Sequence, residues 1–146
     1  MIIKDIDYRN IDFIKEIWEQ NRDYHKDISS NFSEIYEKLI FEERIKYFEQ
    51  IEKKNIKITV LVEEEKCLGY CISTIINSIG EIQSLHILNK YRGLGYGKKL
   101  MKESLKWLEK NNCESIGVNV SCENIKTIKF YENFGFFRNT IYMQKK

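Results

Sequence analysis

The stretch Leu85-His86-Ile87-Leu88-Asn89-Lys90-Tyr91-Arg92-Gly93-Leu94-Gly95-Tyr96-Gly97-Lys98 runs from an apolar strand, through a turn holding three glycines, into a helix. Glycine in such a turn lets the backbone come close to a ligand, and the helix start offers unpaired N–H groups at the positive end of its dipole. That combination binds phosphate. Two familiar phosphate motifs fail on spacing. A dinucleotide fingerprint beginning at Gly93 and Gly95 requires glycine where Lys98 stands. A P-loop requires glycine five residues before the Gly97-Lys98 pair and Ser or Thr after it, where the chain has Arg92 and Lys99.

Upstream of this stretch, residues 81–88 read as the strand that feeds the loop, after a turn at Asn77, Ser78 and Gly80. Residues 56–62 and 67–76 form a hairpin about the solvated run Glu63, Glu64, Glu65 and Lys66. Residues 1–6 suit an edge strand. Ile11, Ile14, Ile17 and Trp18 mark the buried face of a first helix, with Asn10 or Asp12 at its start. Ser33 is placed to cap a second helix with Ile35, Leu39, Phe41, Ile45, Phe48 and Ile51 on its apolar side. Downstream, Leu100, Met101, Leu105, Trp107 and Leu108 imply a helix over 98–111, and Ile116, Val118 and Val120 a strand over 115–121. A short helix over 124–133, capped by Asn124, precedes a final strand or hairpin over 136–143. The predicted order, β-α-α-β-β-β-α-β-α-β(-β), describes an α/β domain with a mixed central sheet and helices on both faces, one domain over 1–146.

Composition narrows the function. Hydrophobic residues at 42% and charged residues at 32% exclude wholesale disorder. No apolar run reaches the roughly 18 residues that span a bilayer, and Asp5, Asp7 and Arg9 interrupt any signal-peptide core, so a cytoplasmic address is expected. A net charge of +2 gives no reason to expect a nucleic acid or a membrane as partner. Cys67, Cys71, Cys113 and Cys122 form no CxxC pair and meet no histidine cluster, so no metal is expected.

The spacing R-x-x-G-x-G, carried by Arg92, Gly95 and Gly97 directly after the apolar strand, resembles the pyrophosphate signature of the GCN5-related N-acetyltransferase (GNAT) superfamily. Residues 124–136, N-I-K-T-I-K-F-Y-E-N-F-G-F, are similar to its second motif, with the helix-opening Asn, the Tyr and the closing Gly-Phe. The element order also matches that fold.

The resemblance implies an acetyl-coenzyme A-dependent N-acetyltransferase acting by direct transfer to a primary amine. It implies that the amides of Gly93, Leu94, Gly95, Tyr96, Gly97 and Lys98 hold the pyrophosphate, following Arg92. Leu85, His86 and Ile87 would lie beside the pantetheine arm, with the Ile87 amide toward the thioester carbonyl. Asn124 would reach the pantetheine or the neighbouring backbone, and Tyr131 would sit near the sulfur. Tyr131 suits the acid because a phenol with a pKa of about 10 lies close to a leaving thiol.

Glu81 takes the place of the glutamate base of the histone-acetyltransferase branch, by its spacing to the loop. Where the bacterial ribosomal-protein acetyltransferases place their base, this chain has Asn119, which takes no proton. His86 alternates with Leu85 and Ile87, which suits packing on one sheet face better than proton transfer. His25, with Tyr24 and Asp27, falls between the first two helices, in a polar loop where the superfamily often binds its acceptor. A peptide N-terminus, a lysine side chain, a polyamine, an aminoglycoside and a small metabolite amine all remain open as acceptor. A homodimer joined through the last strand is compatible with the pattern. The competing function is an acyl-coenzyme A-binding sensor or interaction domain that keeps the glycine loop without acid or base.

Overall fold

In the computed structural model, which describes residues 1–146, five strands form one sheet in chain order: β1 (Ile2–Ile6), β2 (Ile56–Glu63), β3 (Lys66–Ile76), β4 (Ile79–Ile87) and β5 (Ser115–Val118). The first four pair antiparallel and β5 joins β4 in parallel, so the sheet is mixed. Both tight connections are two-residue turns with left-handed backbone, Glu64-Glu65 (φ 48° and 64°) and Asn77-Ser78 (φ 51° and 64°). That geometry matches the twist of the strands it joins.

Strand β3 is central and buried on both sides from Leu68 to Thr74. On one face Ile58, Val60, Tyr70 and Ile72 pack against Ile11 and Ile14 of a 3-10 turn (Tyr8–Ile14), Ile17 and Trp18 of α1 (Lys15–Ile28), and Phe41 and Phe48 of α3 (Phe41–Glu49). On the other, Leu61, Cys71, Ile82 and Ile87 pack against Leu100, Met101 and Leu108 of α4 (Tyr96–Lys110) and Tyr131 of α5 (Ile125–Glu132). No helix is long and apolar enough to cross a membrane.

Four local expectations are corrected. The first helix opens as the 3-10 turn, capped by Asp7, whose side chain accepts from the Arg9 amide at 2.8 Å; Asn10, with φ −103° and ψ 18°, kinks the chain before α1 begins. The second helix is two, α2 (Ser33–Glu37) and α3, separated by an extended Ile40 (φ −118°, ψ 132°). A straight helix would spend its apolar side on Ile35 and Leu39, which are exposed; the break turns Phe41 and Phe48 onto the sheet instead, and Arg22 Nη1 donates to the freed Leu39 carbonyl at 3.1 Å. Ser33 accordingly is the first residue of α2, and its cap position falls to Phe32.

Helix α4 begins at Tyr96, two residues before the position expected, because Gly95 supplies a left-handed cap at φ 85°. The final strand does not form. A strand needs a partner row, and Phe137, Ile141, Tyr142 and Met143 are 82 to 91% exposed, with the last ladder of the sheet ending at the four residues of β5.

Candidate active site

The gap beside β4 follows from where its ladders stop. Residues Ile79 to Ile82 pair with Ser115 to Val118, and beyond Ile82 the two strands part. On its other edge β4 stays paired with β3 as far as Gly69 opposite Ile87, and the Leu88 amide donates to the Leu68 carbonyl at 2.9 Å. Backbone groups of successive strand residues point to alternate sides, so Leu88 facing β3 leaves the peptide groups of Ile87 and Leu85 facing the gap. Arg92 Nε donates to the Ile87 carbonyl at 2.9 Å. The Leu85 peptide groups and the Ile87 N–H are therefore the edge on which an extended, amide-bearing ligand can pair.

Gly69 makes this edge possible: a Cβ there would lie 2.5 Å from Ile87 Cδ1 and 2.9 Å from the His86 carbonyl oxygen. Beyond β4 the chain makes the glycine loop. Gly93 (φ 75°) and Gly95 (φ 85°) are left-handed, and a Cβ at either would meet nothing within 4 Å. The amides of Gly93 to Lys98 donate to no backbone carbonyl; the first to do so is Lys99, to Gly95 at 3.1 Å. No acidic side chain stands in the first turn of α4 and none caps it, so its positive end is uncompensated.

At the start of α5, Asn124 occupies the cap position without capping it by its side chain. It is 5% exposed, and its Oδ1 is buried with no hydrogen-bond partner. A buried amide oxygen left unpaired is costly unless a ligand completes it. The open glycine cradle, the free edge of β4 and this oxygen fit a molecule with a phosphate end and an amide-bearing arm, as coenzyme A has.

The opposite face of β4 carries a polar row. A bulge between Ile72 and Ser73 of β3 leaves Gln83 as the extra residue of β4. Its Nε2 donates to Thr74 Oγ1 at 2.9 Å and to Glu81 Oε2 at 3.2 Å, and its Oε1 accepts from Arg44 Nη2 at 2.9 Å. Glu81 Oε1 accepts from Asn119 Nδ2 at 3.2 Å. Ser84 Oγ is hydrogen-bonded to the buried Tyr70 hydroxyl at 2.7 Å.

His86 is 7% exposed, with Arg92 Nη2 at 3.3 Å from both ring nitrogens. Burial, then the charge of Arg92 and the nearby His25, push its pKa down to about 3, so the ring stays neutral at physiological pH and holds no proton for transfer. Tyr24 of α1 lies under the Arg92 guanidinium, 5.1 Å from its ring centroid, and His25 stacks on Tyr36 at 5.5 Å, its own pKa lowered by burial and by Arg92. Arg92 thus ties the loop to α1 by its side chain.

Tyr131 is 5% exposed and packs edge-on against Phe130 at 5.3 Å and Phe136 at 5.6 Å. Burial, aided by Cys71 and Tyr70, raises its pKa well above the ordinary phenol value, so its hydroxyl keeps its proton. Burial likewise pushes the Cys67 and Cys71 thiols up to about 11, which leaves neither as a thiolate nucleophile.

Leu85, Ile87 and the glycine loop thus follow one another along one edge, Asn124 is buried at the start of α5, and Glu81 lies on β4 with Gln83 and Asn119 as its partners. Sequence reading passed over Arg44 and Gln83. Arg44 interrupts the buried stripe Phe41, Ile45, Phe48 of α3, and a charge on such a stripe is the signal that could have found it.

The sequence model of the acetyltransferase (GNAT) family matches residues 16–136. A 59-residue stretch, 40% of the chain, is 32% identical to N-alpha-acetyltransferase 30 of Saccharomyces cerevisiae and covers 34% of it. The chain spans about a third of the length of the curated relatives it matches. Among solved structures, a mutant of the Bacillus halodurans protein BH1408 superposes with a TM-score of 0.79 at 17% identity, over 100% of this chain and 99% of that one. The aminoglycoside N-acetyltransferase AAC(6')-Iy in complex with CoA superposes with a TM-score of 0.67 at 15% identity, over 99% of each chain. At such identities these two structures speak for the fold.

Proposed function

Because the chain belongs to the acetyltransferase (GNAT) family, we propose that residues 1–146 form one domain that transfers an acetyl group from acetyl-coenzyme A to a primary amine by direct attack in a ternary complex. The observation that carries this reading is the free edge of β4 running into the N-terminus of α4, which no side chain caps: Leu85 offers both its peptide groups and Ile87 its N–H, and Gly93 to Lys98 offer unpaired amides. One element thus suits an amide-bearing arm and the next a pyrophosphate.

Acetyl-coenzyme A supplies the activated acetyl group and a thiol that leaves. The chain's own residues would do the rest. The amides of Leu85 and Ile87 are the donors nearest to hand for a carbonyl oxygen, and Arg92 fixes the Ile87 peptide by holding its carbonyl. Asn124 Oδ1 would accept from the ligand's arm. Glu81 would take the proton of the attacking amine directly or through water, its carboxylate oriented by Gln83 and Asn119. Tyr131 would give its proton to the departing sulfur; burial raises its pKa above that of an ordinary phenol and so away from the leaving thiol, and the hydroxyl enters the step fully protonated.

Calorimetric titration with acetyl-coenzyme A tests the reading, alongside Gly95→Glu, which places a carboxylate in the cradle. Binding with a Kd on the order of micromolar, abolished by the substitution, is expected. Absence of binding by the intact chain overturns the proposal.

A further inference from the structure

Of the five arginines, Arg9, Arg22 and Arg138 each have a carboxylate within reach, paired with Asp7, Asp23 and Glu132. The two that do not, Arg44 and Arg92, both stand at β4. Arg92 is occupied by the Ile87 carbonyl and the Tyr24 ring. Arg44 is half-buried on α3, its guanidinium 4.7 Å from the Phe48 ring centroid and 5.1 Å from that of Tyr47, and its one hydrogen bond is to Gln83 Oε1. Burial works against that charge; Glu81 favours it from beyond the Gln83 amide, but no carboxylate lies within 4.0 Å to pair with it. A guanidinium has five N–H donors in a planar fork suited to a carboxylate.

On the other end of the same amide, Gln83 Nε2 donates to Glu81. A cation and a carboxylate are therefore held on one sheet face with a single side-chain amide between them. A small molecule with an amine and a carboxylate a few bonds apart could meet both charges, the amine toward Glu81 and the carboxylate toward Arg44.

We propose that the acceptor is a free amino acid, bound through its carboxylate by Arg44 while its amine faces Glu81. This rests on the acetyltransferase reading above and narrows its acceptor. Gln83 joins the two recognition points by its amide, and the bulge that frees Gln83 from the ladder lets it serve both. A polyamine or an aminoglycoside could meet Glu81 but brings nothing for Arg44, whose charge repels it, and is disfavoured.

The test measures acetyl-coenzyme A turnover on a panel of free amino acids, each paired with its own amide, with spermidine and kanamycin as polycationic comparisons. An amino acid amide has the less basic amine and so more free base at a given pH; preference for the acid would run against that advantage. At least one acid is expected to exceed its amide in kcat/KM by at least about tenfold, the scale of a charge-assisted hydrogen bond. In Arg44→Gln that ratio is expected to fall to near one, and in Arg44→Lys to recover in part. Should Arg44 merely anchor α3, Arg44→Gln would lower acid and amide together and leave the ratio intact, which overturns the proposal.

Amides or polycations turned over as well as the acids would overturn it while leaving the acetyltransferase reading in place. Binding of acetyl-coenzyme A without turnover of any acid would overturn it too. Loss of both binding and turnover in the intact chain would remove the two readings together.

Discussion

The Nε of Arg92 holds the carbonyl of Ile87 at 2.9 Å, while its guanidinium covers the Tyr24 ring at 5.1 Å. One side chain thereby sets the last peptide of β4 and joins the glycine loop to α1. Replacement by Lys keeps the charge but loses the planar fork and its stacking. Arg92→Lys is expected to cost about 0.5 to 1.5 kcal/mol of stability and to weaken acetyl-coenzyme A binding through the displaced Ile87 peptide. Thermal unfolding and titration calorimetry on the one variant check both. Unchanged affinity would separate the side chain from the cofactor edge.

Three glycines around the end of β4 are predicted to differ by the reason each is glycine. Gly69→Ala forces a Cβ to 2.5 Å from Ile87 Cδ1 and 2.9 Å from a backbone oxygen, so β3 and β4 must part. A loss of about 2 kcal/mol or more is expected, together with lost cofactor binding. Gly95→Ala meets no neighbour but keeps φ 85°, which costs about 1 kcal/mol for a residue with a side chain. Gly97→Ala places its Cβ at an ordinary 3.6 Å from Phe130 and should leave stability nearly unchanged. Urea unfolding of the three variants gives the ranking; a Gly97 variant as damaged as the Gly69 one would refute it.

Most of the fold was legible because it is written in periodicity and turns. The β-branched runs of β2 and β3, the two-residue turns at Glu64-Glu65 and Asn77-Ser78, and the stripe Leu100, Met101, Leu108 of α4 each act locally. The break at Ile40 leaves a mark in sequence that was passed over: Phe41 follows Leu39 by only two residues, out of phase with Ile35 and Leu39, and Phe41, Ile45 and Phe48 begin a new stripe; that Phe41 is buried and Leu39 is not is decided by the sheet. The same limit applies to the site. The glycine loop announces itself in sequence, whereas the link from Arg44 through Gln83 to Glu81 spans α3 and β4, which only the fold brings together. Residues 136–143 have the composition of a strand and no partner row in the chain, which no local pattern reveals.

Stability should depend on pH through His86. Its folded pKa of about 3 lies below the ordinary value of 6.5, so the folded chain binds the proton less readily than the unfolded one. The contribution is complete above pH 6.5 and is lost as pH falls from there toward 3, at up to about 1.4 kcal/mol per pH unit. Between pH 7.5 and 5 the native chain should lose about 1 to 2 kcal/mol more than His86→Gln does. Urea unfolding at both pH values measures this difference. Equal losses would place the low-pH transition on other groups.

Tyr131→Phe and Glu81→Gln separate proton transfer from packing. The Tyr131 ring is wedged against Phe130 and Phe136, contacts that phenylalanine keeps, so the variant should fold and unfold as the native chain does. With the hydroxyl gone, the leaving sulfur loses its donor, and kcat should fall by about 10²-fold, the lower range for a general acid, with little change in the Kd for acetyl-coenzyme A. Glu81→Gln keeps one acceptor for Gln83 Nε2 or Asn119 Nδ2, gives up the other contact unless the Asn119 amide turns, and accepts no proton from an amine. It should likewise lower kcat by about 10²-fold or more, and a more basic buffer should restore part of the rate by supplying the amine as free base. If Glu81 only fastens β4 to Asn119, the loss would appear in stability and would not respond to pH. If Tyr131 only fills the core, its hydroxyl could be removed without kinetic effect.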